Sequence, residues 1–452
     1  MAFYLQYRSL RKQVQQQLDE LRDQEKGSRG SPSRTDGATT ESTREELGRD
    51  IASDDEYAQK FPYGVLDGIT IATDHQGQRY YQVGWESASD PQNARNWPMS
   101  ERIGALCMLV ALAFIVTASS SIDAAIERQA AQAFGVSDVT EALGGTAMFL
   151  AGFGVGALLA SPASELVGRF PVYLATLVVF GCFLVGAALA PNIGAQIVFR
   201  FLAGLSGAAP LTCAGGSIND MFNGREKTWA FPSFALVGFG GPVLGPVIGS
   251  YIGVTGVLSW RWSEWVILID VGLIIMLILA AKKETLGPQL LRYKARHFRE
   301  LTGDERFLSP ADAQGHSFAT VLKTNFSRPF ILAMEPIVLL FTLYLTVVYI
   351  VLFTFLDGYR FIFEETYGIN QGLSNLCFLG LFIGVASTPI VTVPWVYRIT
   401  KHQLARDGDD GTGSQLNQET RVIFAMFGAP LISIGLFWMG WTDYVSFVVV
   451  GS

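Results

Sequence analysis

The chain has 452 residues, half of them hydrophobic and 16% charged, with a formal net charge of −7 at pH 7. Soluble domains carry about a quarter charged residues, so the composition excludes an ordinary soluble globular protein, and residues 1–100 hold a large share of the polar ones. The net acidity comes from tails and loops, and no nucleic-acid partner is expected. Cys107, Cys182, Cys213 and Cys377 all lie in apolar runs without CxxC or metal-ligand spacing, and read as small buried hydrophobes.

Taken in chain order, residues 9–26 predict a short charged helix. Residues 27–60 are rich in Ser, Thr and Gly and predict a solvated, disordered tail. Residues 80–98, YYQVGWESASDPQNARNWP, combine aromatic and turn residues before the first apolar run and are expected along the membrane interface. A spanning helix needs roughly 20 apolar residues. Candidate spans fall at 103–122, 142–163, 171–190, 195–217, 230–256, 264–281, 330–356, 373–397 and 422–440, with a further start at Tyr444. The expected organisation is a largely disordered tail over 1–95, a six-helix half over 96–281, a loop over 282–329 and an incomplete second half over 330–452.

Positive charge sets the orientation. With the N-terminus inside, the inner loops carry Arg169, Arg225, Lys227, the basic stretch from Lys282 to Arg328, Arg398, Lys401, Arg406 and Arg421. The outer loops carry Arg128, Arg261 and Arg360.

The fifth span, FPSFALVGFGGPVLGPVIGSYIGVTGV, holds two Gly-Pro pairs, Gly241-Pro242 and Gly245-Pro246, with Gly249 one turn further on. Interior prolines break a soluble helix. A membrane helix tolerates them when neighbouring helices cover the freed backbone, and the small residues let another backbone approach closely. This is a bent, tightly packed segment of a transporter-like bundle.

Seven ordered motifs carry a resemblance. They are DPQNARNWP before the first span, SELVGRFPVY between the second and third, RFLAGLSGAAPL in the fourth, GPVLGPVIGS in the fifth, then LSWRWSEW, ETLGPQLLRYKARHFRELTGD and SRPFILAMEPIVLLFTLYLTVVY. The chain resembles the fungal drug:proton antiporters of the major facilitator superfamily, the group that includes polyamine and toxin exporters, from about Val83 to its end. The resemblance implies an all-α integral membrane bundle of two six-helix halves, the second incomplete here, rocking about a central site. It implies proton-coupled export of a small amphipathic organic molecule from the plasma membrane or the vacuolar membrane. The alternative is a truncated membrane protein or scaffold that does not transport. The expected partners are a small-molecule substrate, protons and the lipid bilayer.

Arg200 opens the fourth-span motif; an intramembrane arginine is costly and marks function or a snorkelling end, and the family's matching arginine is implicated in proton coupling. Glu335, about one turn inside the seventh span, and Asp270 in the sixth are the other proton-coupling candidates. Glu165 and Arg169 sit in a very short turn, where opposite charges can latch helix ends in one state; Asp220, at the end of the fourth span, is expected to pair with a nearby arginine. The turn departs from the family pattern at Ser161, Leu166 and Phe170, and the fifth-span signature at Ser250. Tyr344, Tyr349 and Phe353 recur at helical spacing and either line an aromatic cavity or form a packing stripe. Asp123, Glu127 and Arg128 follow the first span without an evident role. His75, His297, His316 and His402 all lie in tails or loops and no GxxxxGKS/T loop occurs, so neither an enzyme, a metal nor a cofactor is expected.

Overall fold

The computed structural model describes residues 1–28, 63, 66–73, 77–224, 226–254, 258–313, 327, 329–359, 362–364, 367–407, 428, 430–438 and 441. Two compact units emerge, one of Met1–Trp97 with Ala281–Val321 and one of Pro98–Ala280 with Leu322–Ser452.

The first unit corrects the expectation of a tail and a loop. Helix α1 (Ala2–Ser28) buries Leu10, Val14, Leu18 and Leu21 at helical spacing. Strands β1 (Ile69–Thr73) and β2 (Arg79–Val83) pair antiparallel with Ile71 opposite Tyr81. Helix α9 (Gly287–Thr302), from the stretch read as a loop, buries Leu290, Leu291, Ala295 and Phe298. After it, β3 (Phe307–Leu308) runs parallel to β2. Val14 and Leu18 meet Ile69, Tyr81, Val83, Ala295, Phe298 and Phe307 in one core, with Phe307 stacked on Tyr81 at 4.6 Å and on Phe298 at 4.9 Å. The physical reason is that each piece is a one-sided amphipathic element, whose apolar face finds its partner only far along the chain. Most of the predicted tail at 27–60 lies outside the described residues.

Two of the motifs build this unit. In DPQNARNWP, Asp90 accepts from the Gln92 amide at 2.9 Å while Asn96 donates to the carbonyls of Ala88 and Asp90 at 2.8 and 2.9 Å, which folds the motif into a compact turn. In ETLGP, Glu284 accepts from the amides of Thr285 and Leu286 at 2.9 and 3.0 Å at the start of α9, and its own backbone exchanges two hydrogen bonds with the Gln6 side chain of α1. Gly303 ends α9 in the left-handed conformation, its amide closing on Arg299 at 2.9 Å.

His297 is 1% exposed at the α1–α9 seam, with the Tyr7 ring at 4.4 Å and Glu300 Oε2 at 3.6 Å from Nδ1. Burial pushes its imidazole below the usual range, against the pull of Glu300. A histidine with a depressed folded pKa binds fewer protons folded than unfolded, so stability falls with acidification below the unfolded value of about 6.5, by at most about 1.4 kcal/mol per pH unit. The protection of α9 against hydrogen exchange, corrected for intrinsic rate, is expected to fall between pH 7 and pH 5.5, and His297→Gln to flatten that change.

The second unit is helical and contains eight helices long and apolar enough to cross a membrane. These are α2 (Met99–Ser119), α4 (Asp138–Val167), α5 (Arg169–Ala188), α6 (Ile193–Met221), α7 (Lys227–Val254), α8 (Trp262–Ala281), α10 (Pro336–Tyr359) and the pair α11 (Gln371–Leu376) and α12 (Phe378–Asp407), with the short α3 (Glu127–Phe134) between α2 and α4. Of the ninth expected span, residues 428 and 430–438 are described and are helical, while the start at Tyr444 lies outside the described residues. The seventh begins at Pro336, because the chain turns at Met334 and Glu335 and the proline opens a new helix.

Glycines decide which helices touch. A Cβ on Gly152 or Gly156 of α4 would strike the carbonyls of Phe201 and Leu205 on α6, and one on Gly204 would strike that of Phe149. On α7, a Cβ on Gly241 would collide with Thr117 of α2, one on Gly245 would lie 2.6 Å from the Ala118 carbonyl oxygen, and one on Gly249 would lie 2.6 Å from that of Ile122. The helix passes through Pro232, Pro242 and Pro246 unbroken. The Gly-Pro repeat therefore presents its small face to α2 and the segment that follows it.

Candidate functional site: a buried arginine among carboxylates

In α4, residues Leu143–Ala147 form a wide turn in which the Met148 amide reaches back five residues to Leu143. Such a bulge leaves a backbone group for an outside partner and often marks a site. Gly144 and Gly145 lie within it, and the Gly145 carbonyl accepts from Arg200 Nε at 3.2 Å. Arg200 projects from α6 with none of its surface exposed.

The rest of its fork is filled from three other elements. Nη2 lies 2.8 Å from Asp123 Oδ2 and donates to the Ser119 carbonyl at 2.9 Å. Nη1 lies 3.3 Å from Glu264 Oε1 and 3.4 Å from Ser119 Oγ. Ser119 ends α2, Asp123 sits in the single turn Ile122–Ala125 beyond it, and Glu264 lies in the first turn of α8. The guanidinium rests over the Phe149 ring at 4.9 Å. One side chain thus ties α2, α4, α6 and α8. Charge-assisted bonds of this kind are strong, and the low dielectric makes their loss expensive.

More carboxylate surrounds the arginine than it can satisfy. Glu141 of α4 is 2% exposed, and Glu127 of α3 is also buried. Asp123, Glu127 and Glu141 line a cavity of about 290 Å³ whose other wall includes Leu143, Leu150 and Phe353.

Among the proton-coupling candidates only Arg200 occupies this cluster. Glu335 is exposed and outside α10, one residue before its proline, which corrects its expected place inside the span. Asp270 is half-buried on α8 and makes no ion pair among the described residues. Asp123, Glu264 and Glu141 are candidate functional residues that the sequence alone does not single out. A signal was available, since each is a carboxylate at the edge of an apolar span on the same side as Arg200.

At the opposite ends of these helices, Arg169 opens α5 and meets Asp220 rather than Glu165. Its Nε lies 3.4 Å from Asp220 Oδ2, and its Nη1 donates to Ser164 Oγ at 2.5 Å. Gly216 leaves the room, since a Cβ there would lie 2.6 Å from the guanidinium carbon. Glu165 is exposed; three residues of helix before the glycine turn at Gly168 point it away. Tyr349 packs between Phe239 at 5.5 Å and Phe353 at 6.5 Å, in a cluster with Val243, Leu352 and Phe378. Tyr344 is half-buried on the same helix. Of this stripe, Phe353 is the residue that reaches the acidic cavity.

The fold and the cluster define a multi-pass integral membrane protein with a charged centre buried among its helices. Residues 105–452 match the family model of the Major Facilitator Superfamily, and the chain belongs to that superfamily. It is 46% identical over 365 residues to the MFS-type transporter kojT of Aspergillus flavus, covering 80% of this chain and 64% of that one. It is 36% identical over 386 residues to the uncharacterized transporter C794.04c of Schizosaccharomyces pombe, covering 84% and 68%. It is 34% identical over 362 residues to the efflux pump FUB11 of Gibberella moniliformis, covering 79% and 59%. The chain thus spans less than two thirds of the length of the first and the last of these relatives.

Proposed function

We propose that this chain works as a proton-coupled secondary transporter of the drug:proton antiporter branch, exporting a small amphipathic organic molecule by alternating access. The carrying observation is the Arg200 cluster, in which one guanidinium faces the buried carboxylates of Asp123, Glu264 and Glu141. With all three ionised the centre holds an excess of negative charge in a medium that cannot solvate it. A proton is the smallest counter-ion that can enter and leave, and its transfer weakens or restores the Arg200 ties between α2, α6 and α8. Differential stabilisation of two arrangements by that proton is what coupling requires. The names of the relatives, transporter and efflux pump, support transport and its outward direction. The placement that accompanies this reading is the plasma membrane, or the vacuolar membrane, with the N-terminus cytoplasmic.

The Arg169–Asp220 pair is the conformational latch in this reading, holding α5 to the end of α6 in one state. Asp220→Asn is expected to lower the transport rate by about tenfold, near 1.4 kcal/mol, with substrate affinity little changed. Glu165→Gln and Glu335→Gln are expected to leave transport near wild type, since neither carboxylate is held in the bundle. The main test is flux in proteoliposomes of the full-length protein under an imposed proton gradient, scanned over drugs, polyamines and fungal metabolites. Flux that follows the gradient supports the reading, and flux indifferent to the gradient sinks the coupling.

A further inference from the structure

Glu141 is the carboxylate that the arginine cluster leaves over. A guanidinium has five N–H donors. Those of Arg200 that make hydrogen bonds go to the Gly145 carbonyl, Ser119 Oγ and the Ser119 carbonyl, and its ion pairs are with Asp123 and Glu264, whereas Glu141 has no ion pair among the described residues. Glu141 is 2% exposed, and its Oε2 is buried without a hydrogen-bond partner. The side chain lines the cavity of about 290 Å³ together with Asp123 and Glu127. Gly145 keeps the space between two of these groups open, since a Cβ there would lie 3.2 Å from Asp123 Oδ2 and 3.5 Å from Glu141 Oε1. Leu143, Leu150 and Phe353 supply an apolar wall.

We propose that this cavity binds a small organic ammonium, its charged nitrogen on Glu141 and Glu127 and its apolar body against Leu150 and Phe353. The inference rests on the transport reading and names the substrate class. Three alternatives fit the geometry less well. A proton would neutralise Glu141 in place and needs neither a cavity nor an apolar wall. A metal ion requires a converging donor set, and no His, Cys, Asp or Glu group among the described residues has that arrangement. An anionic ligand would meet three carboxylates. The cavity is near the lower end of ligand pockets, which run from about 300 to 1,000 Å³, a size that suits one ring carrying an amine. An aromatic wall beside carboxylates favours a cation twice over, by charge and by the ring face.

The test is equilibrium binding to the purified full-length protein in detergent without any gradient, by calorimetry, using 2-phenylethylamine, protonated at pH 7.5, and the uncharged 2-phenylethanol. The wild type is expected to bind the amine at least tenfold more tightly than the alcohol. Glu141→Gln is expected to lower amine affinity at least tenfold and leave alcohol binding unchanged. Leu150→Trp, which fills the cavity without altering its charge, is expected to abolish amine binding, and it keeps the test decisive if Glu141→Gln does not fold. Equal affinity for amine and alcohol, wild-type amine affinity in Glu141→Gln or in Leu150→Trp, or no amine binding to the wild type would each overturn the proposal. Because binding is read without a gradient, proton-driven flux with no amine binding sinks this inference alone. Amine binding with gradient-independent flux sinks the coupling alone.

Discussion

Arg200→Ala is expected to destabilise the helical unit by about 3–5 kcal/mol and to abolish gradient-driven transport. The magnitude comes from what is left behind. Asp123 and Glu264 would stay buried without an ion-pair partner among the described residues, and the Gly145 and Ser119 carbonyls would each lose a donor. Arg200→Lys is expected to recover little, because an ammonium cannot span three helices as a planar fork does. The informative variant removes all three charges together, as Arg200→Met with Asp123→Asn and Glu264→Gln. Replacing a buried ionic group wholesale is often neutral or stabilising, so this triple variant is expected to regain much of the thermal stability in detergent while transport stays absent. A triple variant that transports with the gradient would show the cluster to be structural.

Gly245→Val is expected to prevent α7 from seating on α2. The added Cβ would lie 2.6 Å from the Ala118 carbonyl oxygen and collide with the Ser121 hydroxyl. Backbone cannot step aside as a flexible side chain can, so the cost is expected to reach or exceed the ~1–3 kcal/mol of ordinary overpacking. The damage also spreads, since the segment displaced is the one that carries Ser119 and Asp123 to Arg200. Loss of the monodisperse peak in size-exclusion chromatography, with a lowered melting temperature for any folded fraction, is the expected observation. Gly272→Val on α8, where a Cβ meets nothing within 4 Å, is the control and is expected to stay within about 0.5 kcal/mol of wild type. A Gly245→Val protein as stable as that control would remove the close-packing account of the Gly-Pro repeat.

Much of the membrane unit was legible in the sequence because length and apolarity are local properties. The first six described spans were expected within about five residues, the seventh and eighth with larger shifts at one end, and the glycine stripe of α7 announced a close neighbour before the neighbour was known. The small unit was not legible. The spacing of Leu10, Val14 and Leu18 is readable as a helix face, but nothing in those residues points to Phe298 and Phe307. The same limit governs the site. Arg200 stood out by the cost of a lone charge in an apolar run, whereas Glu335 and Asp270 stood out for the same reason and are not part of the cluster. Cost alone cannot say which charges meet.

The sequence by itself determined the class of fold, the number and order of the described spans, and the presence of an arginine that had to be compensated. These follow from hydropathy and from the energetic penalty of a charge in lipid, which act residue by residue. Only the tertiary structure decided the compensation: that Asp123, Glu264 and Glu141 gather around Arg200, that Arg169 takes Asp220 and not Glu165, and that the chain's beginning folds onto the stretch between its halves. Pairing depends on which helix faces meet at which depth. That is set by the packing of Gly152, Gly204 and Gly245 against distant backbone, a relation between parts of the chain that no single segment contains.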